Sequence, residues 1–264
     1  MSNGGILPGA AAELPKGLRR GAKFYEGKAK ILFRTNDRKF VIQYFKDDAT
    51  AFNAQKRGTI VNKGVMNNEI SSLIFAWLAK NGVQSHFTGR LSEREMLVKS
   101  LDIVPVEVVM RNIVAGSLSK RMGIPEGQPL KRPILEYYYK KDELGDPPIN
   151  RDHALVFGLA TAKELDQIDR TAHKVNLLLL RLFRSIGIKL VDFKLEFGRH
   201  GGKILLGDEI TPDGCRLWDT KTNEKMDKDR FRRDLGKIEE SYEEVLRRVR
   251  EKIGPRPVRK GRKQ

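Results

Sequence analysis

The chain has 264 residues, 39% of them hydrophobic and 32% charged, with a formal net charge of +17. That composition is globular, and no apolar run approaches the roughly 18 residues of a membrane span, so a span is excluded. The single cysteine, Cys215, excludes an intramolecular disulfide and suits a reducing compartment, most simply the cytoplasm, while the four histidines lack metal-ligand spacing.

Residues 1–22 lack the basic start and apolar run of about 7–15 residues of a secretory signal, and read as a flexible extension. The stretch "FYEGKAKILFRTNDRKFVIQYFKDD" predicts two strands around a turn at Thr35–Arg38, with Lys28 and Lys30 on one strand face after Gly27. Two cations so spaced can grip a polyphosphate, or simply guard a sheet edge against aggregation. No GxxxxGK[ST] loop occurs. Next, "GVMNNEISSLIFAWLAKNG" sets Ile70, Leu73, Ile74, Trp77 and Leu78 at helical intervals and stops at Asn81-Gly82. A lobe boundary near residue 100 separates a lobe of residues 23–102 from one of 103–253.

"LDIVPVEVVMRNIVAGSLSKRMGI" begins as a strand from Ile103 to Met110 and breaks at Ala115-Gly116-Ser117, before Lys120 and Arg121 on a helical turn. Arg111 at the strand end, with Gly116 and Ser117, is a sensible cradle for a phosphate monoester, although basic residues beside a loop are also ordinary soluble surface. "PILEYYYKKDELGDPPI" is strand-like through Tyr139 and turns at Gly145–Pro148. Between Thr161 and Gly187 a helix turns Val175, Leu178, Leu179, Leu182 and Phe183 inward.

In "LVDFKLEFGR" the alternation sends Val191, Phe193, Leu195 and Phe197 to a core and leaves Asp192, Lys194 and Glu196 on the other face. This strand pairs with Lys203–Leu206 across Gly201-Gly202. A three-residue loop, Gly201–Lys203, is the preferred register and sets Glu196 opposite Asp208; an even-numbered loop brings Glu209 to that face instead. Adjacent carboxylates repel unless a cation lies between them, and oxygen donors beside phosphate point to Mg²⁺. In the competing reading the three charges only neutralise one another. A last helix runs through "FRRDLGKIEESYEEVLRRVREKI" with a solvated face. The basic tail, residues 254–264, has no aromatic residue to stack on a base, so no specific nucleic-acid recognition is expected. Strands and helices follow in irregular order, which predicts an α+β fold.

Taken in order from about Phe24 to Val249, these stretches resemble the SAICAR synthetase (phosphoribosylaminoimidazole-succinocarboxamide synthase) family, most closely in Pro105–Ser117 and Leu190–Gly198. The resemblance implies a two-lobed α+β fold similar to ATP-grasp and kinase-like lobes, with nucleotide between the lobes. It implies an ATP-dependent ligase of purine biosynthesis that uses Mg²⁺ and joins L-aspartate to the carboxylate of carboxyaminoimidazole ribonucleotide (CAIR) through an acyl phosphate. A homodimer is expected. The resemblance places Lys28 and Lys30 on the ATP phosphates, with Lys140, or Lys141 if the alignment slips by one, also on the nucleotide side. It puts Glu196, Asp208 and Asp146 by the nucleotide and metal, and has Arg111, Ser117 and Arg216 hold the ribonucleotide. Asp192 and Lys194 fall near the imidazole and the reacting carboxylate, with Lys194 stabilising the transferring group. A kinase reading lacks support, because neither an HRD-type loop nor a DFG triplet occurs.

Overall fold

The computed structural model describes residues 14–51 and 56–255. Three strands, β1 (Arg20–Glu26), β2 (Lys30–Thr35) and β3 (Phe40–Phe45), precede a hairpin of β4 (Asp48–Ala51) and β5 (Lys56–Thr59). Helix α1 (Lys63–Lys80) leads to β6 (Phe87–Arg90) and β7 (Glu95–Lys99). Then come β8 (Asp102–Ile103), β9 (Val106–Ile113), α2 (Gly116–Met122), β10 (Pro129–Tyr139), β11 (Pro148–Ile149), α3 (Arg151–Val156) and α4 (Ala162–Ser185). The chain closes with β12 (Ile188–Leu195), β13 (Phe197–His200), β14 (Lys203–Leu206), β15 (Cys215–Asp219), α5 (Asp229–Arg232) and α6 (Ile238–Ile253).

Two five-stranded sheets result, ordered β1-β2-β3-β7-β6 and β11-β10-β9-β12-β15, beside the three-stranded β14-β13-β8 and the β4-β5 ribbon. Every pairing between these strands is antiparallel, so the architecture is the α+β one that the irregular element order predicts. Strand β1 already begins at Arg20, inside the expected extension; residues 1–13, and 256–264 of the basic tail, lie outside the described residues.

Helix α4 starts on a capping box, in which Thr161 and Glu164 satisfy each other's backbone N–H groups, and buries Leu165, Ile168, Ala172, Val175, Leu179, Leu182 and Phe183 at helical spacing. One cluster joins this stripe to Val108 and Met110 of β9, Phe193 and Leu195 of β12, Ile70 and Leu73 of α1, and Tyr242 and Val245 of α6. Helix α1 departs from its predicted one-sided pattern. From Lys63 to Phe75 every residue except Val65 is buried, because the helix lies between β3, β6 and β7 on one side and α6 on another. Most of its polar side chains find partners, although the buried Ser72 hydroxyl has none among the described residues. Asn68 donates to the carbonyls of Ser92 (3.0 Å) and Glu93 (2.9 Å), and Glu69 accepts from Arg90 (3.0 Å) and Arg250 (2.6 Å).

The final helix is divided, contrary to the sequence expectation. Asp234, Gly236 and Lys237 all have positive φ (54°, 66° and 49°), which no α-helix can contain. The break lets Phe231 pack with Ala49 and Ile60 under the β4-β5 ribbon while Tyr242 enters the main core.

The Arg199 guanidinium grips Glu164 through Nε (2.6 Å) and Nη2 (3.1 Å), and this hydrogen bonding holds the carboxyl down at about 2, against 4.5 ordinarily. A depressed folded-state pKa gives stability that is complete above the unfolded value and is lost as pH falls through the folded one. Glu164→Gln, which keeps a residue acceptable to the capping box, is therefore expected to lower Tm by about 2 °C at pH 7. In thermal melts that gap should close between about pH 4.5 and pH 2; a gap constant down to pH 2 would contradict the linkage.

Candidate active site

Strand alternation builds the site. Val106, Val108 and Met110 of β9 face the core, which leaves Glu107, Val109 and Arg111 on the opposite face. Cross-strand partners share a face, so the pairs Arg111↔Asp192 and Asp192↔Arg216 line up three charges, and Glu136↔Val109 and Val109↔Lys194 lie alongside them. Two details differ from the sequence expectation. Arg111 lies inside β9, which runs on to Ile113, and a register shift between Leu190 and Asp192 interrupts the alternation. Leu190 and Phe193 consequently both reach the main core, while Val191, expected beside Phe193, packs with Ala115 and Trp218 in a separate cluster.

At one end of this face Asp192 is buried between two guanidiniums. Arg111 Nη1 donates to its Oδ2 (2.8 Å), and Arg216 Nη1 donates to both oxygens (3.0 and 2.9 Å). Arg111 also donates to Glu136 (2.9 Å), Ser117 Oγ (2.9 Å) and the Tyr138 hydroxyl (3.1 Å), and Arg216 to Asp229 (3.0 Å). Burial alone would lower both guanidiniums, but Asp192 foremost, with Glu136 for Arg111 and Asp229 for Arg216, holds them above their ordinary value. Arg216 lies against Gly116, where φ is +56° and an added Cβ would sit 2.5 Å from Nη2; only glycine fits. Arg111, Ser117, Asp192 and Arg216 are thus brought together.

At the other end lysines and carboxylates alternate. Lys194 Nζ lies 2.8 Å from Glu196 Oε1, 3.2 Å from Asp208 Oδ2 and 3.4 Å from Glu107 Oε2. Lys140 reaches the same Glu196 oxygen (2.9 Å), and Lys30 ion-pairs with Asp208 and Glu209. Burial alone would lower the Lys194 ammonium, but Glu196, Glu107 and Glu209 outweigh it and hold the group well above its ordinary value. Burial likewise pushes Glu196 up, yet Lys194, Lys140 and Lys30 keep it well below the usual carboxylate range. Glu107 goes the other way. Burial raises it more than Lys194 lowers it.

The route by which Asp208 arrives corrects the preferred register. His200 pairs with Lys203 across a two-residue turn in which Gly201 and Gly202 both have positive φ (54° and 74°), the geometry whose twist suits a hairpin. Phe197 therefore opposes Leu206, and the Glu196 carbonyl accepts from Gly207 rather than facing Asp208. Asp208 still reaches Lys194 because it lies beyond the strand in a left-handed conformation (φ 60°), and Glu209 arrives with it. Lys28 and Lys30 also do not share a strand: β1 ends at Glu26, Gly27 closes a tight turn onto the Lys30 carbonyl (2.9 Å), and Lys28 in that turn meets Asp142 (3.1 Å). Asp146, in the β10–β11 turn with φ 50°, accepts from the Lys141 backbone N–H (2.8 Å).

Among the described residues no three acidic, His or Cys side chains are disposed to hold a metal unaided. Mg²⁺ seldom needs such a cage; one or two carboxylates plus phosphate oxygens suffice. Glu196 and Asp208, whose oxygens already converge on the Lys194 ammonium, are a donor set that fits it. Sequence reading missed Glu107, Glu136, Tyr138 and Asp229 as site residues, and had Glu209 only as the alternative that an even-numbered loop would bring, the loop found here. The first three carried the same signal as Lys194, a polar side chain alternating with core residues in "VPVEVVMR" and "PILEYYYK".

Fold and site together define a two-lobed α+β protein with a sheet face that pairs cations with anions at both ends. The SAICAR synthetase family profile matches residues 23–249. A relative from Chloroherpeton thalassium, named phosphoribosylaminoimidazole-succinocarboxamide synthase, is 58% identical over 232 residues, covering 88% of this chain and 99% of its own. The crystal structure of the synthase of that name from Ehrlichia chaffeensis superposes with a TM-score of 0.86 at 48% identity, over 89% of this chain and 100% of that one. A SAICAR synthetase in complex with ADP superposes at 0.84 with 46% identity, over 88% and 98%. The chain belongs to the SAICAR synthetase family.

Proposed function

We propose that the chain joins L-aspartate to the carboxylate of CAIR at the expense of ATP, yielding SAICAR, ADP and phosphate in purine biosynthesis. Family membership supports the reaction, and the convergence of Lys194, Glu196 and Asp208 on one point supports placing it there. A carboxylate is a poor electrophile, so its oxygen first attacks the γ-phosphorus and ADP leaves; the aspartate amine then attacks the acyl carbon, and phosphate leaves with the bonding electrons. The protein contributes position and charge, with no covalent nucleophile.

In this reading Lys28, Lys30 and Lys140 face the triphosphate, and Arg111, Ser117 and Arg216 hold the ribose phosphate. Lys194, at the end that holds Glu196 and Asp208, meets the transferring group. Asp192 keeps both guanidiniums aimed, since each of its oxygens accepts from at least one of them. Glu196 and Asp208 would hold Mg²⁺; Asp146, which accepts from the Lys141 backbone, forms no three-carboxylate group with them among the described residues. When bound, the ion would offset charge on the phosphate oxygens. Glu196→Gln and Asp208→Asn are each expected to raise the Mg²⁺ concentration for half-maximal rate by about tenfold or more. Normal metal dependence in both favours mutual neutralisation as their only role.

We further propose lobes divided near residue 100, a cytoplasmic setting supported by the single cysteine, and no specific nucleic-acid partner. Among the described residues no helix is long and apolar enough to cross a membrane. A homodimer is supported by Val156 and Phe157, adjacent and 79% and 72% exposed, and light scattering tests it. The reaction itself is tested by a coupled assay omitting each substrate in turn: ADP release must need both CAIR and aspartate.

A further inference from the structure

Away from the substrate face, one carboxylate ties three elements together. Asp213 Oδ2 accepts from Lys63 Nζ (2.7 Å) and Asn67 Nδ2 (3.2 Å), both in the first turns of α1, and Oδ1 accepts from the Tyr242 hydroxyl of α6 (2.7 Å). Lys63 and Tyr242 are fully buried. Burial alone would push the Asp213 carboxyl up, but Lys63 and Lys228 outweigh it and keep it well below the usual carboxylate range. Burial first, and Asp213 second, push the Tyr242 phenol well up, so it stays an O–H donor.

A buried ion pair is a poor device for stability, since desolvating two charges cancels most of their attraction. Its place in the chain suggests what else it does. Asp213 lies in the connection between β14 and β15, the segment that carries Asp208 and Glu209. That segment is stitched at both ends to β12 and the residue after it: Gly207 N–H donates to the Glu196 carbonyl (2.8 Å), and the Gly214 carbonyl accepts from Lys194 N–H (3.0 Å). Midway, Ile210 N–H donates to Ser71 Oγ of α1 (3.2 Å). The backbone of the two residues most concerned with the transferring group is thus bonded to the loop that Asp213 fastens.

We propose that Asp213, with Lys63 and Tyr242, is a positioning residue for the ligation: it clamps residues 207–214 to α1 and α6 and thereby aims Asp208 and Glu209 at the nucleotide end of the cleft. The inference rests on the nucleotide and metal being at that end. Supporting groups behind metal-binding carboxylates typically affect metal affinity by about 10- to 100-fold.

The test is Mn²⁺ binding in the presence of ADP, followed by the free-ion electron paramagnetic resonance signal, in the full chain and in Tyr242→Phe, Asp213→Asn and Asp208→Asn. Tyr242→Phe and Asp213→Asn are each expected to weaken Mn²⁺–ADP about tenfold or more, with KM for CAIR unchanged. If Asp208→Asn weakens binding while the two clamp variants do not, the clamp is overturned and the nucleotide placement stands. If Asp208→Asn has no effect, both fall. A parallel rise in KM for CAIR means general loosening and also overturns the proposal. Should Asp213→Asn fail to fold, Tyr242→Phe, which removes one hydroxyl, decides alone.

Discussion

Lys194→Met is expected to lower kcat by about 10³ without changing the far-UV circular dichroism spectrum. Three carboxylates surround this ammonium and hold it charged through the whole working pH range, so its contribution is a fixed positive charge and not a proton. In the proposed reaction charge develops on the transferring phosphoryl group, and a preorganised cation beside it would be worth far more than one in water. Methionine keeps a four-atom stem of the same shape and removes the ammonium, with its charge and its hydrogen bond to Glu196. The strand remains, because it is held by backbone pairing to β9 and β15 and by Phe193 and Leu195 in the core. An unchanged kcat would refute the role, whereas loss of the dichroism signal would assign Lys194 to folding.

Asp192→Asn should act through binding and stability more than through the chemical step. Its carboxylate lies between Arg111 and Arg216, and neutralising it leaves two adjacent guanidiniums without their shared counter-charge. Removing one member of a buried ion pair commonly costs about 3–5 kcal/mol; here Glu136 and Asp229 still hold the outer sides of the arginines, so a value near 3 kcal/mol is expected. In urea melts the midpoint should fall with an unchanged m-value. KM for CAIR should rise about tenfold, with kcat falling less. The opposite pattern, a collapse of kcat at constant KM and stability, would return Asp192 to direct participation in catalysis.

Much of this arrangement is legible in the sequence, for a reason that particular residues make plain. Asp192, Lys194 and Glu196 alternate with Phe193, Leu195 and Phe197, and a period of two has only one structural meaning at that length. Helix α4 carries its stripe and its capping box openly. What stayed hidden depends on single residues or distant neighbours. Whether the turn after His200 has two residues or three cannot be weighed from two glycines that suit either, and that choice moved the partner of Glu196 from Asp208 to Gly207. The shift beside Val191 comes from pairing with β15, and the break after α5 from three residues taking the left-handed conformation, of which only Gly236 announces it. Asp213 was invisible as a clamp because its partners, Lys63 and Tyr242, lie far away in the chain.

Helix α1 has a mechanical consequence. It touches β3, β6 and β7 of the first sheet, and it also packs on α6 and shares one apolar cluster with α4, β9 and β12. A wide swing of the first sheet about residue 100 would drag this helix, with Asn67, Asn68 and Ser72, through the protein interior. Moving one large sheet far against the other would mean repacking a shared core, so α1 acts as a weld between them.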